Sequence, residues 1–100
     1  MRLTTLTVKL KMKNTPRIDF APLFDKQRMV APLEIKQALR ETLELFLENP
    51  THEALRNHPL TEEYAGIWSI DVTADWRALY RKDQGKIIFV KLGTHDELYG

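Results

Sequence analysis

Apolar and polar residues alternate along the first part of the chain. Between residues 6 and 13, leucine, valine and methionine take every second position, and threonine and lysine take the positions between them. A two-residue period is typical of a half-buried β-strand. Asn14-Thr15-Pro16 ends this pattern, and residues 18–20 predict a short second strand.

The spacing between apolar residues becomes longer in the next third of the chain. Residues 20–30 predict a short helix with Pro22 in its first turn. A clearer helix is predicted from residue 31 to about residue 48, because one stripe of residues recurs at every third or fourth position. The stripe consists of Ile35, Ala38, Leu39, Thr42, Leu43 and Phe46. Asn49-Pro50 ends this helix, since proline has no N–H for the next hydrogen bond and disfavours a helical residue before it.

Strand patterns dominate from residue 66 onward. Residues 67–72, 76–81 and 86–92 predict three strands, joined by connections that are short enough for hairpins. Helices in the N-terminal half followed by consecutive strands predict an α+β fold. We expect an antiparallel sheet of three to five strands, with two or three helices packed on one face and the other face available for binding.

Length and composition narrow the class of protein. A chain of 100 residues without a repeat or linker predicts one domain over residues 1–100. The absence of cysteine excludes disulfides, thiolate nucleophiles and cysteine-based zinc sites. His52 and His58 are spaced wrongly for one helical face, so we expect neither a metal nor another cofactor. No apolar run approaches the ~20 residues of a membrane span, and the start is a poor signal peptide, which predicts a cytoplasmic protein without a membrane partner.

Charge is unevenly distributed along the chain. The net charge is only +1, from 15 Lys and Arg against 14 Asp and Glu, but the acids concentrate between residues 34 and 63. Basic residues cluster before residue 18 and again between residues 77 and 91. We predict that Lys9 and Lys11 share one positive surface with Arg77 and Arg81, suited to a phosphate backbone. The alternative is that these residues form ordinary solvated strand faces.

The last two predicted strands bring reactive side chains to one end of the sheet. If residues 83–85 form the turn, Arg77 lies near Lys91, and Asp75 lies beside them. His95 follows Lys91 by four positions and reaches the same end. An acid, two cations and an imidazole are therefore expected to converge there.

This combination suits a ribonuclease that needs no metal. One group removes the proton of a 2′-hydroxyl, cations hold the anionic phosphorane, and a second group protonates the leaving 5′ oxygen. Histidine suits either proton role. Trp76 and Tyr99 are expected as neighbours of this site. Each member also has a purely structural explanation: Asp75 can shape a turn, His58 can anchor a loop, and the two cations can be a solvated cross-strand pair.

An ordered set of segments resembles the RelE/ParE superfamily of type II toxins, and most closely its YafQ-like branch. The segments are Phe46-Leu47-Glu48-Asn49-Pro50, Leu55-Arg56-Asn57-His58-Pro59-Leu60, Gly66-Ile67-Trp68-Ser69-Ile70-Asp71-Val72, Asp75-Trp76-Arg77-Ala78-Leu79-Tyr80-Arg81 and Gly93-Thr94-His95-Asp96-Glu97-Leu98-Tyr99-Gly100. The resemblance covers residues 33–100. Residues 1–17 lie outside it, as an extension or a lengthened first hairpin.

The resemblance implies a toxin with a microbial-ribonuclease-like fold that cleaves messenger RNA on the ribosome without a metal. It also implies a cognate antitoxin partner, with assembly as a homo-oligomer or as a heterotetramer with the antitoxin. Carried over by position, the implied catalytic residues are His95, Asp75 and His58, with His95 leading as the proton donor. The residues implied to bind phosphate and RNA are Arg77, Arg81, Lys91, Tyr99 and Trp76.

Two positions depart from the YafQ-like pattern. Asp71 stands where that branch has a further histidine, and Lys91 stands where arginine is common. The lysine remains cationic but cannot contact a phosphate through two parallel hydrogen bonds. Two other functions remain open for this fold: a ParE-like toxin that poisons DNA gyrase without cleaving RNA, and an inactive relative that only binds an antitoxin.

Overall fold

The computed structural model describes residues 17–99. The alternating pattern of residues 6–13 therefore lies outside the described residues. The same is true of Lys9 and Lys11, so the positive surface that they are predicted to share with Arg77 and Arg81 stays a prediction.

Five strands and three helices make up the described part of the chain. The strands are β1 (Arg17–Phe20), β2 (His58–Pro59), β3 (Ile67–Asp71), β4 (Trp76–Asp83) and β5 (Lys86–Thr94). The helices are α1 (Pro22–Val30), α2 (Leu33–Glu48) and α3 (His95–Tyr99). Single turns of 3-10 helix, Glu53–Leu55 and Glu62–Tyr64, lie on either side of β2. The start of α1 at Pro22 and the end of α2 before Asn49 confirm the predicted helix limits.

The strands form one sheet in the order β1-β5-β4-β3-β2. Strands β2 to β5 run antiparallel to their neighbours, whereas β1 pairs with β5 in parallel. The α+β class and the strand number are confirmed, but the sheet is mixed rather than wholly antiparallel. The reason is that β1 is separated from β5 by two helices and three strands, and alternation within a short strand does not encode its direction.

An aromatic cluster fills the core between the sheet and the helices. Its members, called the aromatic core below, are Phe20, Phe24, Phe46, Tyr80 and Phe89. The ring of Phe89 lies 5.3–6.0 Å from each of the other four ring centroids and is fully buried. These distances are typical of aromatic pairs that add to the stability gained from area burial alone. Phe89 therefore joins β1, β4 and both long helices.

Tyr80 is the one polar ring of the aromatic core. Its hydroxyl donates a hydrogen bond of 2.7 Å to Oδ1 of Asn57, in the segment before β2. Burial raises the pKa of Tyr80 above its ordinary value, and the hydrogen bond to Asn57 offsets part of that rise. The neutral phenol is therefore the form that the folded protein favours.

The β4–β5 hairpin differs in register from the prediction. Gln84 and Gly85 form a two-residue turn with positive φ angles of 50° and 83°, the geometry that tight hairpins prefer. Leu79 then pairs with Lys91 and Tyr80 with Phe89, which leaves one extra residue on β5, a β-bulge. Arg77 consequently lies opposite Gly93 and not near Lys91. The predicted pairing of these two cations was wrong, because the turn has two residues and not three and because a sequence pattern does not reveal a bulge, and each of these shifts the partner of Arg77 by one residue.

Candidate active site at the end of the β4–β5 hairpin

The main chain fixes His95 beside Asp75. Trp76, the first residue of β4, pairs with Thr94, the last residue of β5. One step further, the backbone N–H of His95 donates a hydrogen bond of 2.9 Å to the carbonyl oxygen of Asp75. The structure therefore brings together these two residues that the sequence predicted at this end of the sheet.

A capping box starts α3 at His95. The hydroxyl of Thr94 accepts a hydrogen bond from the N–H of Glu97 at 3.1 Å, and Oε1 of Glu97 accepts one from the N–H of Thr94 at 2.8 Å. This reciprocal pair satisfies two N–H groups that a helix start would otherwise leave without partners. His95 is consequently the first helical residue, and its side chain is 59% exposed. Asp75, Thr94, His95, Glu97 and Tyr99 are called the α3 end below.

Close packing holds α3 against β5. An added Cβ at Gly93 would lie 3.2 Å from Oε1 of Glu97 and 3.4 Å from Cδ2 of Leu98. Leu98 is buried, whereas the flanking residues Glu97 and Tyr99 are more exposed. The glycine therefore lets a five-residue helix, too short to be stable alone, rest directly on the strand.

Tyr99 lies between two other rings. Its ring centroid is 4.9 Å from that of His95 and 5.7 Å from that of Tyr64, which meets it edge-on. The hydroxyl of Tyr64 donates a hydrogen bond of 3.1 Å to the carbonyl oxygen of Leu98 and so holds the end of α3. The sequence did not point to Tyr64, because it ends a single 3-10 turn 31 residues away from His95 and lies outside every recognised segment.

Arg77 is occupied by contacts within the protein. Its Nε lies 3.1 Å from Oδ1 of Asp71, and both side chains are nearly buried. Its Nη1 donates to the carbonyl oxygens of Thr73, Ala74 and Trp76 at 3.0–3.2 Å. The guanidinium thus holds the β3–β4 turn that carries Asp75. The direct phosphate contact that the sequence predicted for Arg77 stays a prediction.

Asp71, which stands where the YafQ-like branch has a histidine, lies within ion-pair distance of two arginines. Besides Arg77, Nε of Arg56 lies 3.6 Å from Oδ2 of Asp71. The contact between Arg77 and Oδ1 is close but is not aligned as a hydrogen bond, and within residues 17–99 this buried oxygen has no hydrogen-bond partner. Aspartate in place of histidine at position 71 therefore removes one imidazole and also places a carboxylate beside Arg77.

Arg81 and Lys91 are the more accessible cations. Arg81 is exposed, and its Nη1 lies 3.6 Å from Oδ2 of Asp83, a surface pair that contributes little to stability. Lys91 is exposed on β5, and no carboxylate of the described residues lies within ion-pair distance of it. Both cations can meet an anionic ligand without breaking a buried contact.

His58 lies on the edge strand β2, three strands away from β5, whose last residue precedes His95. It pairs with Ser69 on β3, and Ser69, Leu79 and Lys91 continue the same row across β3, β4 and β5. Three strand spacings separate the backbone of His58 from that of Lys91, about 14 Å. His58 is exposed, and its Nδ1 lies 2.5 Å from the carbonyl oxygen of Arg56. Since a carbonyl only accepts, Nδ1 carries the proton and Nε2 faces away from this bond.

The sequence of this chain matches the model of a known protein family. The family model described as "Bacterial toxin of type II toxin-antitoxin system, YafQ" matches residues 16–100. The chain belongs to the YafQ toxin family. The resemblance to RelE-superfamily toxins, and to the YafQ-like branch in particular, is thereby confirmed. Comparison with curated protein sequences gave no match.

Solved structures share the fold of this YafQ-family toxin. YafQ from E. coli strain BL21(DE3) superposes with a TM-score of 0.73 at 24% identity, covering 85% of this chain and 99% of that one. The toxin of the E. coli DinJ-YafQ toxin-antitoxin complex gives 0.71 at 22% identity, with coverages of 86% and 99%. For the toxin-antitoxin complex RelBE2 from Mycobacterium tuberculosis the values are 0.66 and 20%, with coverages of 81% and 99%.

The described residues of this YafQ-family toxin contain neither a candidate metal site nor a candidate membrane span. Among residues 17–99, no three His, Asp or Glu side chains are arranged to hold a metal ion. In the same part of the chain, no helix combines the length and the apolar character needed to cross a bilayer.

Proposed function

We propose that this YafQ-family toxin is an endoribonuclease that cleaves messenger RNA on the ribosome, with His95 as its proton donor. The observation that carries the proposal is the position of His95. It is the first residue of α3, is tied through its backbone to Asp75, and has an exposed imidazole. An imidazole can give up or accept a proton near neutral pH.

Asp75, whose carbonyl oxygen accepts the backbone hydrogen bond from His95, is the proposed base, whereas Asp96, with Oδ1 3.7 Å from Nδ1 of His95, is 99% exposed. In the proposed step, a carboxylate oxygen of Asp75 takes the proton of the ribose 2′-hydroxyl, and the 2′ oxygen forms a bond to phosphorus. The bond from phosphorus to the 5′ oxygen breaks, and His95 donates its proton to that oxygen. The products are a 2′,3′-cyclic phosphate and a free 5′-hydroxyl. His58 is the less suitable base, because its strand is three spacings from β5.

Cations and an aromatic ring complete the proposed site. Lys91 is accessible and would attract a phosphate near the cleaved bond, whereas Arg81, about 17 Å along β4 from Trp76, would attract a more distant phosphate of the same RNA. Arg77 holds the turn that carries Asp75 and acts as a positioning residue. Tyr99 packs on His95 and offers a ring on which an unpaired RNA base can stack.

We also propose a cognate antitoxin as the partner of this chain. The solved relatives include toxins in complex with antitoxins, DinJ with YafQ and the RelBE2 pair. In this chain, large apolar side chains of α1 and α2 are exposed, with Met29 at 71%, Val30 at 83% and Leu33 at 70%. A contiguous exposed apolar patch is typical of a surface that a partner covers.

Mapping of transcript 5′ ends after induced expression tests the nuclease. We expect cuts in translated messages with the wild-type chain and their loss, by at least about 100-fold, with His95→Ala, since general acid catalysis contributes roughly 10²–10⁴-fold. His52→Ala is the matched control, because His52 caps a 3-10 turn away from α3. This control should cut at the wild-type rate.

Other outcomes of this experiment contradict the proposal. Growth arrest with DNA damage and intact messages would favour a gyrase poison. Cuts that persist in His95→Ala would remove His95 from the mechanism. Cuts in naked RNA at equal rates without ribosomes would reject the ribosome requirement.

A further inference from the structure

A cavity of about 390 Å³ opens beside the α3 end, at the edge of β5. Strand β1 stops at Phe20, opposite Phe89, so within residues 17–99 no strand pairs with the outer edge of β5 beyond that point. Helix α1 covers this edge, and Oε1 of Gln27 accepts a hydrogen bond of 2.7 Å from the N–H of Leu92. The cavity lies between this contact and α3, and its lining includes Leu23, Gln27, Trp76, Lys91, Glu97 and Leu98.

The polar groups in this cavity are held in fixed roles. The oxygen of the Gln27 amide is engaged by Leu92, so its NH2 group is the part left to donate. One oxygen of Glu97 is engaged by the N–H of Thr94, so its second oxygen is the part left to accept. Leu23, Leu98 and the indole of Trp76 supply apolar surface around them. A fixed donor and a fixed acceptor beside an indole match a flat ring with polar groups along its edge.

The cavity adjoins the proposed catalytic residues along both strands. Trp76 follows Asp75 directly, and it pairs with Thr94, which directly precedes His95. Glu97 belongs to the capping box that sets the position of His95. Lys91 at the same cavity adds a positive charge that suits the sugar-phosphate backbone. A nucleotide with its phosphate at His95 can therefore place a neighbouring base in the cavity.

We infer that this cavity binds one unpaired RNA base next to the cleaved phosphate, and that Gln27 and Glu97 determine which base is preferred. The inference rests on the proposed function, because it extends the same site by one nucleotide. Single-stranded RNA is read by contact with base edges and by aromatic surface, and this cavity provides both.

Two substitutions between glutamine and glutamate, which have nearly the same shape, test which base the cavity recognises and keep the contacts within the protein. Gln27→Glu keeps an acceptor for the N–H of Leu92 and turns the donor that faces the cavity into an acceptor. Glu97→Gln keeps the capping box, which accepts either residue, and turns the facing acceptor into a donor. Gln37→Glu on α2, an exposed glutamine outside the cavity, is the control for added charge.

Binding is measured with four 2′-O-methyl RNA trinucleotides that differ only in one base and cannot be cleaved. The full chain carries His95→Ala to limit toxicity and Trp68→Phe, so that Trp76 alone reports by fluorescence. We expect quenching by the preferred trinucleotide and a change of preference between bases of about 5- to 100-fold in each exchange variant. Gln37→Glu should keep the original preference.

The outcomes separate this inference from the proposed nuclease. Cleavage that depends on His95, combined with an unchanged base preference in both exchange variants, overturns the cavity and leaves the nuclease standing. A base preference that changes in both variants, combined with intact transcripts in cells, supports the cavity and overturns the nuclease. Trinucleotides that leave Trp76 fluorescence unchanged overturn the inference directly.

Discussion

The aromatic core and the α3 end are built on the same two strands by different means. In the aromatic core, fully or largely buried rings contact one another through side chains, with Phe89 at the centre. At the α3 end, exposed side chains are positioned by main-chain hydrogen bonds and a capping box. The difference separates the residues that stabilise the fold from those of the proposed active site. Substitutions should therefore move the free energy of unfolding in one region and the activity in the other.

Phe89→Ala should have the largest effect. Removing a fully buried ring that contacts four others leaves a cavity, and we expect a loss of about 3–5 kcal/mol of unfolding free energy. Urea denaturation followed by circular dichroism measures this. Phe89→Leu is the control, and it should retain part of the lost stability. If Phe89→Ala lowered the free energy of unfolding by less than about 1 kcal/mol, on the order of a surface substitution, the central role of this ring would be contradicted.

Asp71→Asn should have an intermediate effect on stability, because it lies where the two regions meet. An exposed ion pair contributes under ~1 kcal/mol, and a broken buried one costs about 3–5 kcal/mol. With side chains 13–14% exposed in the pair with Arg77, we expect a loss of about 2 kcal/mol. The β3–β4 turn should also loosen, which hydrogen exchange at Asp75 would detect. Unchanged exchange there would show that Arg77 holds the turn without Asp71.

Thr94→Ala should separate the two regions most clearly. Loss of an N-cap hydroxyl costs about 1 kcal/mol, and here it releases α3 with little effect on the aromatic core. RNA cleavage should fall more than 10-fold, because each ångström of misplacement at a catalytic group can cost roughly 10²-fold. Thr94→Ser keeps the hydroxyl and should restore activity. Equal activity of the alanine and serine variants would mean that the cap does not position His95.

Tyr80→Phe should have the smallest effect, about 0.5–1.5 kcal/mol at neutral pH from the lost hydrogen bond to Asn57, and it should also change how stability depends on alkaline pH. Because the pKa of Tyr80 is raised in the folded state, the unfolded chain loses its proton first as pH rises above about 10. The contribution of Tyr80 is thus fully present below pH ~10 and is lost as pH rises through the folded pKa. Comparison of urea midpoints at pH 8 and above pH 10 should show a smaller decline in Tyr80→Phe. Tyr99→Phe is the control and should decline like the wild type.

The aromatic core was largely readable from the sequence, whereas the α3 end was readable only in part. The stripe of α2 predicted buried positions correctly at Ile35, Leu39 and Phe46 because periodicity reports burial. The parallel pairing of β1 and the bulge before Lys91 depend on contacts between distant segments, which periodicity does not report. The capping box was readable as Thr94 followed three positions later by Glu97, but α3 was not predicted.

The roles of individual cations were the hardest part to predict. Arg77 matches a recognised motif, and the motif alone does not tell whether the guanidinium faces a ligand or the protein. Its partner Asp71 is six positions away in sequence and is brought opposite by the pairing of β3 with β4. The separation of His58 from His95 likewise follows from strand order, which no local pattern contains.

The hydrogen bond from the N–H of His95 to the carbonyl of Asp75 belongs to the peptide backbone. Nearly any residue at either position can make the same bond, so reactive side chains can be exchanged there while the scaffold keeps its shape. Proline at position 95 is the exception. It is well tolerated in the first turn of a helix, so α3 could still form, but it has no N–H and would lose the hydrogen bond to Asp75. A single substitution at position 75 or 95 should therefore abolish the proposed reactivity and leave the backbone geometry of this end of the sheet in place.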